Sequence, residues 1–447
     1  MRFLYRPFYR LYRLILSTRA FAQRRFTGAG LAVLFGLIAT ATMGVDTDNT
    51  VAYQAFAPLS CMLLVAICFS RFRSGFSATR LLPQFATAGR PFGYSVHVRN
   101  LSAKTQNGLT LLEDLADPKP SFEDWLAIQH MEQKQLRSFR FSQHLPAHPF
   151  KNVAVKEALV PPIPSNQETA VEVELTPLRR GVLALEGLTI ARTDPLGLVR
   201  AFKRVPLAQT VLVLPKRYLL PPIALPGMMK YQQGGIALAS NVGQSEEFVA
   251  LRDYRHGDPL RHIHWRSWAR AGKPVVKEFE DEFFVRHALV LDTFVNLPYS
   301  ELLEEAVSVA ASFACTIQTQ ESLLDLLFVG PESHCFTAGR GLAQADQMLE
   351  VLASVRPCRE KPFGALEHLV LNHVSVVSGC ICVMLAWDQS RRDFVAKLKA
   401  LGLPVLVLVI VEPGQGKDLD PGPMRDEPEK LCVLEIGKIE EGLAKLT

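Results

Sequence analysis

Two uncharged runs near the amino terminus constrain the chain more than any other feature. Residues 26–45 are 20 consecutive residues without a charge and residues 49–70 another 22, with only Asp46, Thr47 and Asp48 between them. A helix rises about 1.5 Å per residue, so roughly 20 apolar residues match a hydrocarbon core of about 30 Å. The runs predict a two-helix membrane hairpin over 26–70, with spans at about 26–45 and 50–70. A signal peptide has a shorter apolar region and a small-residue cleavage site, and two runs of matched length fit a hairpin better.

The flanking charges orient that hairpin. Residues 1–25 carry seven arginines (Arg2, Arg6, Arg10, Arg13, Arg19, Arg24, Arg25), no lysine and no acid, which reads as a basic amphipathic arm. Arg71, Arg73 and Arg80 follow the second run, and the short connection holds only acids, so the positive-inside rule puts both termini in the cytoplasm. Net charge supports a local role for the arm. The chain has 49 basic and 44 acidic residues; without the seven arginines 42 remain against 44, a charge of −2. A nearly neutral body argues against nucleic acid as a partner, and the arm beside an apolar run points to membrane lipid.

Beyond the hairpin, residues 75–220 show short alternating segments such as 94–98, 170–175 and 182–190, separated by turn chemistry that includes the corner Asp194-Pro195-Leu196-Gly197. This spacing predicts a small antiparallel sandwich, with a less regular insertion over 117–148 that contains Trp125. Residues 220–245 form a Pro/Gly/Gln-containing connection. From residue 287 to 447, continuously apolar strands alternate with amphipathic helices, the pattern of a parallel sheet covered on both faces. Helices are expected near 301–319, 342–354 and 391–401. Function in such sheets lies beyond the carboxyl ends of the strands, where Asp292 and Asp388 are each the first polar residue after an apolar strand.

Between the two regions, residues 246–286 hold 16 charged residues, eight of each sign, in a chain that is 21% charged. Tyr254, Trp265 and Trp268 are interleaved with them, unlike the composition of a disordered charge run. Three readings fit. The block can be an ion-pair lattice that joins two domains. It can be a docking surface, since Arg and Trp are typical interface anchors. It can also be a catalytic or metal site built from His256, His262, His264, Asp253 and Asp258, although no third ligand with recognisable spacing accompanies the H-x-H pair.

The run L-R-D-Y-x-x-G-D-x-x-R-x-I-H-W-x-x-x-A-R, continued by K-x-x-V-V-K-E-F-E, comprises Leu251, Arg252, Asp253, Tyr254, Gly257, Asp258, Arg261, Ile263, His264, Trp265, Ala269, Arg270, Val276, Lys277 and Glu278. It resembles the signature of the bacterial domain-of-unknown-function family fifty-eight. His264 stands where members often carry Asp. The resemblance extends to the layout: two amino-terminal spans, a β-rich region ending in a D-P-L-G-L corner (residues 194–198), the signature, then a domain similar to von Willebrand factor type A. It implies a protein of the bacterial cytoplasmic (inner) membrane, frequently encoded beside MoxR-type AAA+ ATPases and transglutaminase-like membrane proteins.

Von Willebrand A-type domains that bind Mg²⁺ present D-x-S-x-S after the first strand. Here the residues are Asp292, Thr293, Phe294, Val295 and Asn296. Phe294 cannot coordinate and Asn296 is a poor substitute for serine, so Asp292 and Asp388 would hold an ion only weakly, through waters. No other cofactor is expected. Gly272-Lys273 and Gly416-Lys417 lack the rest of a phosphate loop, no G-x-S-x-G elbow exists, and the eight cysteines include no C-x-x-C pair.

The expected fold is therefore a two-helix membrane hairpin, a β-sandwich-like domain and an α/β von Willebrand A-like domain. The expected function is that of a membrane-anchored cytoplasmic scaffold or adaptor, working with a MoxR-type AAA+ ATPase in complex assembly, maturation or envelope maintenance. Its interaction residues would be Arg252, Asp253, Tyr254, Gly257, Asp258, Arg261, His264, Trp265, Arg270, Lys277 and Glu278. The alternative is a metal-dependent hydrolase that uses His262, His264, Asp253 and Asp258.

Overall fold

A computed structural model describes residues 2–43, 50–70, 72, 74–116, 121–137, 152–221, 248–256, 258, 260, 263–279, 285–316, 322–338, 342–416 and 419–446. The chain forms two compact units, residues 1–214 and 215–447.

The first unit begins with three helices: α1 (Arg2–Arg25), α2 (Gly28–Met43) and α3 (Thr50–Phe69). They do not make the expected spanning hairpin. Among the described residues no helix is long and apolar enough to cross a membrane. Among the described residues of the first run, helix covers the 16 from Gly28 to Met43, about 24 Å at 1.5 Å per residue. Phe26 pairs with Val199 in a β-bridge and the Thr27 amide donates to the Leu198 carbonyl, so a tertiary contact keeps both residues out of the helix. In the second run the helix includes Gln54, Ser60 and an internal Pro58. The expectation of two spans in an inner membrane is overturned, and the orientation built on those spans falls with it.

The strands that follow are β1 (Phe76–Leu81), β2 (Phe85–Thr87), β3 (Phe92–Asn100) and β4 (Leu109–Leu115); then come α4 (Phe122–Arg137), β5 (Val153–Val155), β6 (Ala158–Val160), β7 (Glu168–Pro177), β8 (Gly181–Thr193) and β9 (Arg200–Leu214). Two sheets result, ordered β1-β3-β7-β5 and β2-β9-β8-β4-β6, antiparallel except where β2 meets β9. Alternation buries Tyr94, Val96 and Val98 of β3 with Val171, Val173 and Leu175 of β7, and Leu109, Leu111, Leu185, Leu188 and Ile190 join them in one core. Trp125, from the insertion, is buried on α4 and meets Tyr9 and Tyr12 of α1 at ring distances of 5.6 and 5.9 Å. The rest of the insertion, residues 117–120 and 138–148, lies outside the described residues.

The β8–β9 corner holds the helices. The Asp194 carboxylate accepts from the amides of Leu196, Leu198 and Val199 at 2.7–2.9 Å, and Gly197 takes the left-handed turn at φ 71°. This presents the Leu198 carbonyl to α2 so closely that a Cβ on Gly30 would lie 2.0 Å from it. Ala66 of α3, Leu198 and Val199 form a small buried cluster there, with Val33 and Leu63 against it. Elsewhere the three helices leave large apolar side chains outward, among them Phe8, Leu14, Phe21, Phe35, Phe56 and Phe69.

The second unit opens with β10 (Phe248–Asp253), α5 (Trp265–Ala271) and β11 (Val275–Phe279), the two strands pairing antiparallel. Then follow β12 (Val285–Leu291), α6 (Glu301–Thr316), β13 (Ser322–Val329), β14 (Ser333–Ala338), α7 (Leu342–Ser354), α8 (Gly364–Leu371), β15 (Gly379–Met384), α9 (Gln389–Ala400), β16 (Val405–Val411), β17 (Leu431–Glu435) and α10 (Ile439–Leu443). The sheet order is β14-β13-β12-β15-β16-β17, with parallel pairing throughout except for the antiparallel edge strand β14. Ala288, Val290, Cys380, Cys382 and Met384 pack with Leu366 and Val370 of α8 and Phe394 and Leu398 of α9. The alternate residues Leu289, Leu291, Ile381 and Val383 are fully buried on the other face, the side that α6 covers. Cys380 and Cys382 are core residues, and burial pushes the Cys382 thiol well above its usual range.

Candidate functional site

The signature block folds as a short two-stranded sheet with a helical turn between its strands. The Tyr254 amide donates to the Pro274 carbonyl and the His264 amide to the Val275 carbonyl, while Ile263, Val275 and Val276 are buried beneath. His264 precedes α5, its Nδ1 lies 2.7 Å from Ser267 Oγ, and Gly272 closes the helix in the left-handed conformation at φ 68°.

Two ion pairs form within the block, Arg252 with Asp258 and Lys273 with Asp253. Arg252 grips Asp258 with two parallel bonds of 2.7 and 2.8 Å, and the Arg255 amide adds a third at 2.8 Å. The guanidinium of Arg252 and the Arg255 amide hold the Asp258 carboxyl down to about 2. Asp253 takes Lys273 Nζ at 2.7 Å on the surface. Beside these pairs and the exposed Arg255, Arg266 and Arg270, the block presents an apolar feature to solvent. Trp265 is 64% exposed and stacks on Trp268 at 5.2 Å, and Leu251 and Leu260 are exposed as well.

Of the expected interaction residues, Arg252, Asp253, Tyr254, Asp258, His264, Trp265, Arg270 and Lys277 fall in this substructure. Gly257 and Arg261 lie outside the described residues, as do His262 and the side chain of Glu278. Asp258 is bound to Arg252 and Asp253 to Lys273, and among the described residues no group of three His, Cys, Asp or Glu could hold a metal ion.

The second constellation lies at the carboxyl ends of β12 and β15. Asp292 is fully buried; its Oδ1 accepts from the Phe294 amide at 3.0 Å, and its Oδ2 from the Leu385 amide at 3.1 Å and Arg391 Nε at 2.6 Å. Asp388 caps α9: its Oδ1 accepts from the Arg391 amide at 3.1 Å and its Oδ2 from Arg391 Nη1 at 2.6 Å. One guanidinium therefore bridges both candidate metal ligands, with Phe363 packed over it at 4.9 Å. Burial works to lower the Arg391 pKa, and the charges and hydrogen bonds of Asp292 and Asp388 outweigh it and raise it. Thr293 is buried and donates to the Val329 carbonyl, and Asn296 is exposed. The residues present do not fit a Mg²⁺ ion, because the Arg391 guanidinium already lies between the two carboxylates, 2.6 Å from each.

Sequence reasoning missed Arg391, which reads as the first residue of an ordinary amphipathic helix. The available signal was an arginine three residues after Asp388, a spacing that brings the two together in the first turn of a helix.

Residues 250–429 match the family described as "Protein of unknown function DUF58". The match takes in both constellations, from Arg252 to Arg391. The chain is also 27% identical over 184 residues to the "Uncharacterized protein YeaD" of Bacillus subtilis (strain 168), across 40% of this chain and 44% of that protein. It thus spans less than half the length of this relative. Solved structures with partial likeness include the CARDB domain of PF1109 from Pyrococcus furiosus (13% identity, TM-score 0.17, covering 32% of this chain and 97% of that domain). Another is Salmonella alpha-2-macroglobulin (13% identity, TM-score 0.19, covering 35% of this chain and 8% of that one). Such low scores carry no argument about this protein.

Proposed function

We propose that this chain is a non-enzymatic scaffold or adaptor that docks a protein partner through the Trp265–Trp268 face of its signature block. The observation that carries this reading is the exposure of Trp265, stacked on Trp268, in a block whose carboxylates Asp253 and Asp258 are held by Lys273 and Arg252. Arg252 is committed to Asp258, and Lys273 to Asp253. The face then offers a partner an indole pair with exposed Leu251 and Leu260, beside the exposed Arg255, Arg266 and Arg270, and buried aromatic anchors dominate the energetics of protein interfaces.

The α/β unit supports a von Willebrand A-like reading, through its strand order, its antiparallel edge strand and the acidic residue after its first parallel strand. In this reading it is a rigid mount for the docking face. The partner is a MoxR-type AAA+ ATPase, a choice that rests on the family resemblance alone.

Binding of the full chain to the purified ATPase tests the proposal by calorimetry. Trp265→Ala should weaken binding by about 30-fold or more, the usual cost of losing a hot-spot aromatic, with the circular dichroism spectrum unchanged. Equal affinity in a folded Trp265→Ala variant would refute the docking face, and absence of any binding to the ATPase would refute the partner.

A further inference from the structure

Expected ligands of a divalent ion, Asp292 and Asp388, instead share a guanidinium of the chain itself. We infer that Arg391 is the resident cation of this site, holding a position that an Mg²⁺ or Mn²⁺ ion would otherwise take, so that the face at the carboxyl end of the sheet works without metal.

Three observations support this. First, the place between the carboxylates is taken: their four oxygens accept five hydrogen bonds from Phe294, Leu385 and Arg391, and two of these come from the guanidinium at 2.6 Å. An octahedral ion needs oxygens at about 2.0–2.1 Å converging on one point, and here the space between the carboxylates holds Nε and Nη1. Second, the exchange would be unfavourable electrostatically. The Arg391 side chain is only 8% exposed and Asp292 is not exposed at all, so an entering dication would meet a buried like charge that has already lost its water. Third, the neighbouring residues do not offer replacement ligands. Phe294 has no donor oxygen in its side chain, and the Thr293 hydroxyl is turned to the Val329 carbonyl.

The guanidinium also does something that a bound ion could not. Arg391 belongs to the same helix that Asp388 caps, and its own amide is one of the capping donors. It links β12, through Asp292, to the start of α9. An ion can dissociate, whereas this cation is covalently part of the fold, so the arrangement does not depend on metal concentration. The inference does not rest on the proposed docking partner.

Mn²⁺ titration of the full chain, followed by the loss of the free-ion electron paramagnetic resonance signal, tests it. Wild type should take up no Mn²⁺ at this site, and Arg391→Ala should gain one ion per chain with a dissociation constant of ~0.1–1 mM, as expected for few charged ligands. Adding Asp292→Asn to Arg391→Ala should abolish the gain. Because loss of the guanidinium can unfold the unit, Arg391→Gln, which can still donate to a carboxylate, is titrated in parallel and should also gain the ion. Stoichiometric Mn²⁺ binding by wild type that Asp292→Asn removes would overturn the inference. Failure of both folded single variants to gain an ion would also overturn it, by showing that the carboxylates form a salt bridge and no cation site.

Discussion

The signature block and the end of the parallel sheet both pair arginine with aspartate, but in opposite surroundings. In the block, 16 charges crowd into 41 residues, yet the Arg252–Asp258 and Lys273–Asp253 pairs keep one or both partners in contact with solvent. At the sheet, one arginine in a helix and one aspartate after an apolar strand are almost sealed from water. Exposed pairs contribute little net stability, because water screens them and two long side chains must be ordered. A buried pair is different, since removing one partner strands a charge in a medium that cannot solvate it. The sandwich repeats the second case. Arg80 and Glu113 meet at 2.6 Å with neither side chain exposed, and Tyr94 donates to the same carboxylate at 2.6 Å. Density of charge in a sequence is thus a poor guide to where charge carries structural weight.

The comparison can be broken most directly in the sandwich. Arg80→Met should destabilise the first unit by about 3–5 kcal/mol by stranding Glu113, and the double change Arg80→Met/Glu113→Leu should recover most of that loss. Hydrogen exchange of the β3 and β4 amides reads both. A single-mutant cost no larger than that of a surface pair would dissolve the distinction.

A lone buried carboxylate without an arginine sharpens it. Asp194→Ala removes the acceptor of three backbone amides at the corner that holds α2 and should cost about 1–3 kcal/mol. Exchange at the Leu198 and Val199 amides should rise by the corresponding factor, with the second unit unaffected.

A smaller effect is expected in the block and depends on pH. Asp258 titrates at about 2 in the folded chain against an ordinary 3.8. Its contribution is therefore fully present above about 4 and is lost as the pH falls toward 2, because the unfolded chain takes up the proton first. Carboxyl-carbon NMR of the folded chain should show the low midpoint, and Arg252→Gln should return it toward the ordinary value. Smallest of all, Lys273→Ala should leave the denaturation midpoint unchanged within error, since both it and Asp253 are largely solvated.

The same contrast explains what could be read from the residues alone. The strands at 379–384 and 405–411 announce themselves as continuous apolar runs, as does the 288–291 part of β12, and α7 falls at 342–354 as its periodicity predicts. Asp292 and Asp388 were legible as the first polar residues after their strands. Their neutralisation by Arg391 was not, because it joins residues 99 apart in sequence. Arg80 was legible only as one more basic residue after an apolar run, whereas the fold places it in the sandwich interior, where Glu113 supplies the compensation. The membrane spans failed for a related reason. Counting uncharged residues gives 20 for the first run, but Phe26 and Thr27 belong to the β8–β9 corner, a tertiary contact that no local window contains.

The outward apolar residues of α1, α2 and α3 bear on how the molecule behaves as a colloid. Large exposed apolar side chains promote association where they gather into patches. In plain buffer, the chain's tendency to clump should follow these helices, so amphiphile concentration, more than ionic strength, should govern whether it stays dispersed.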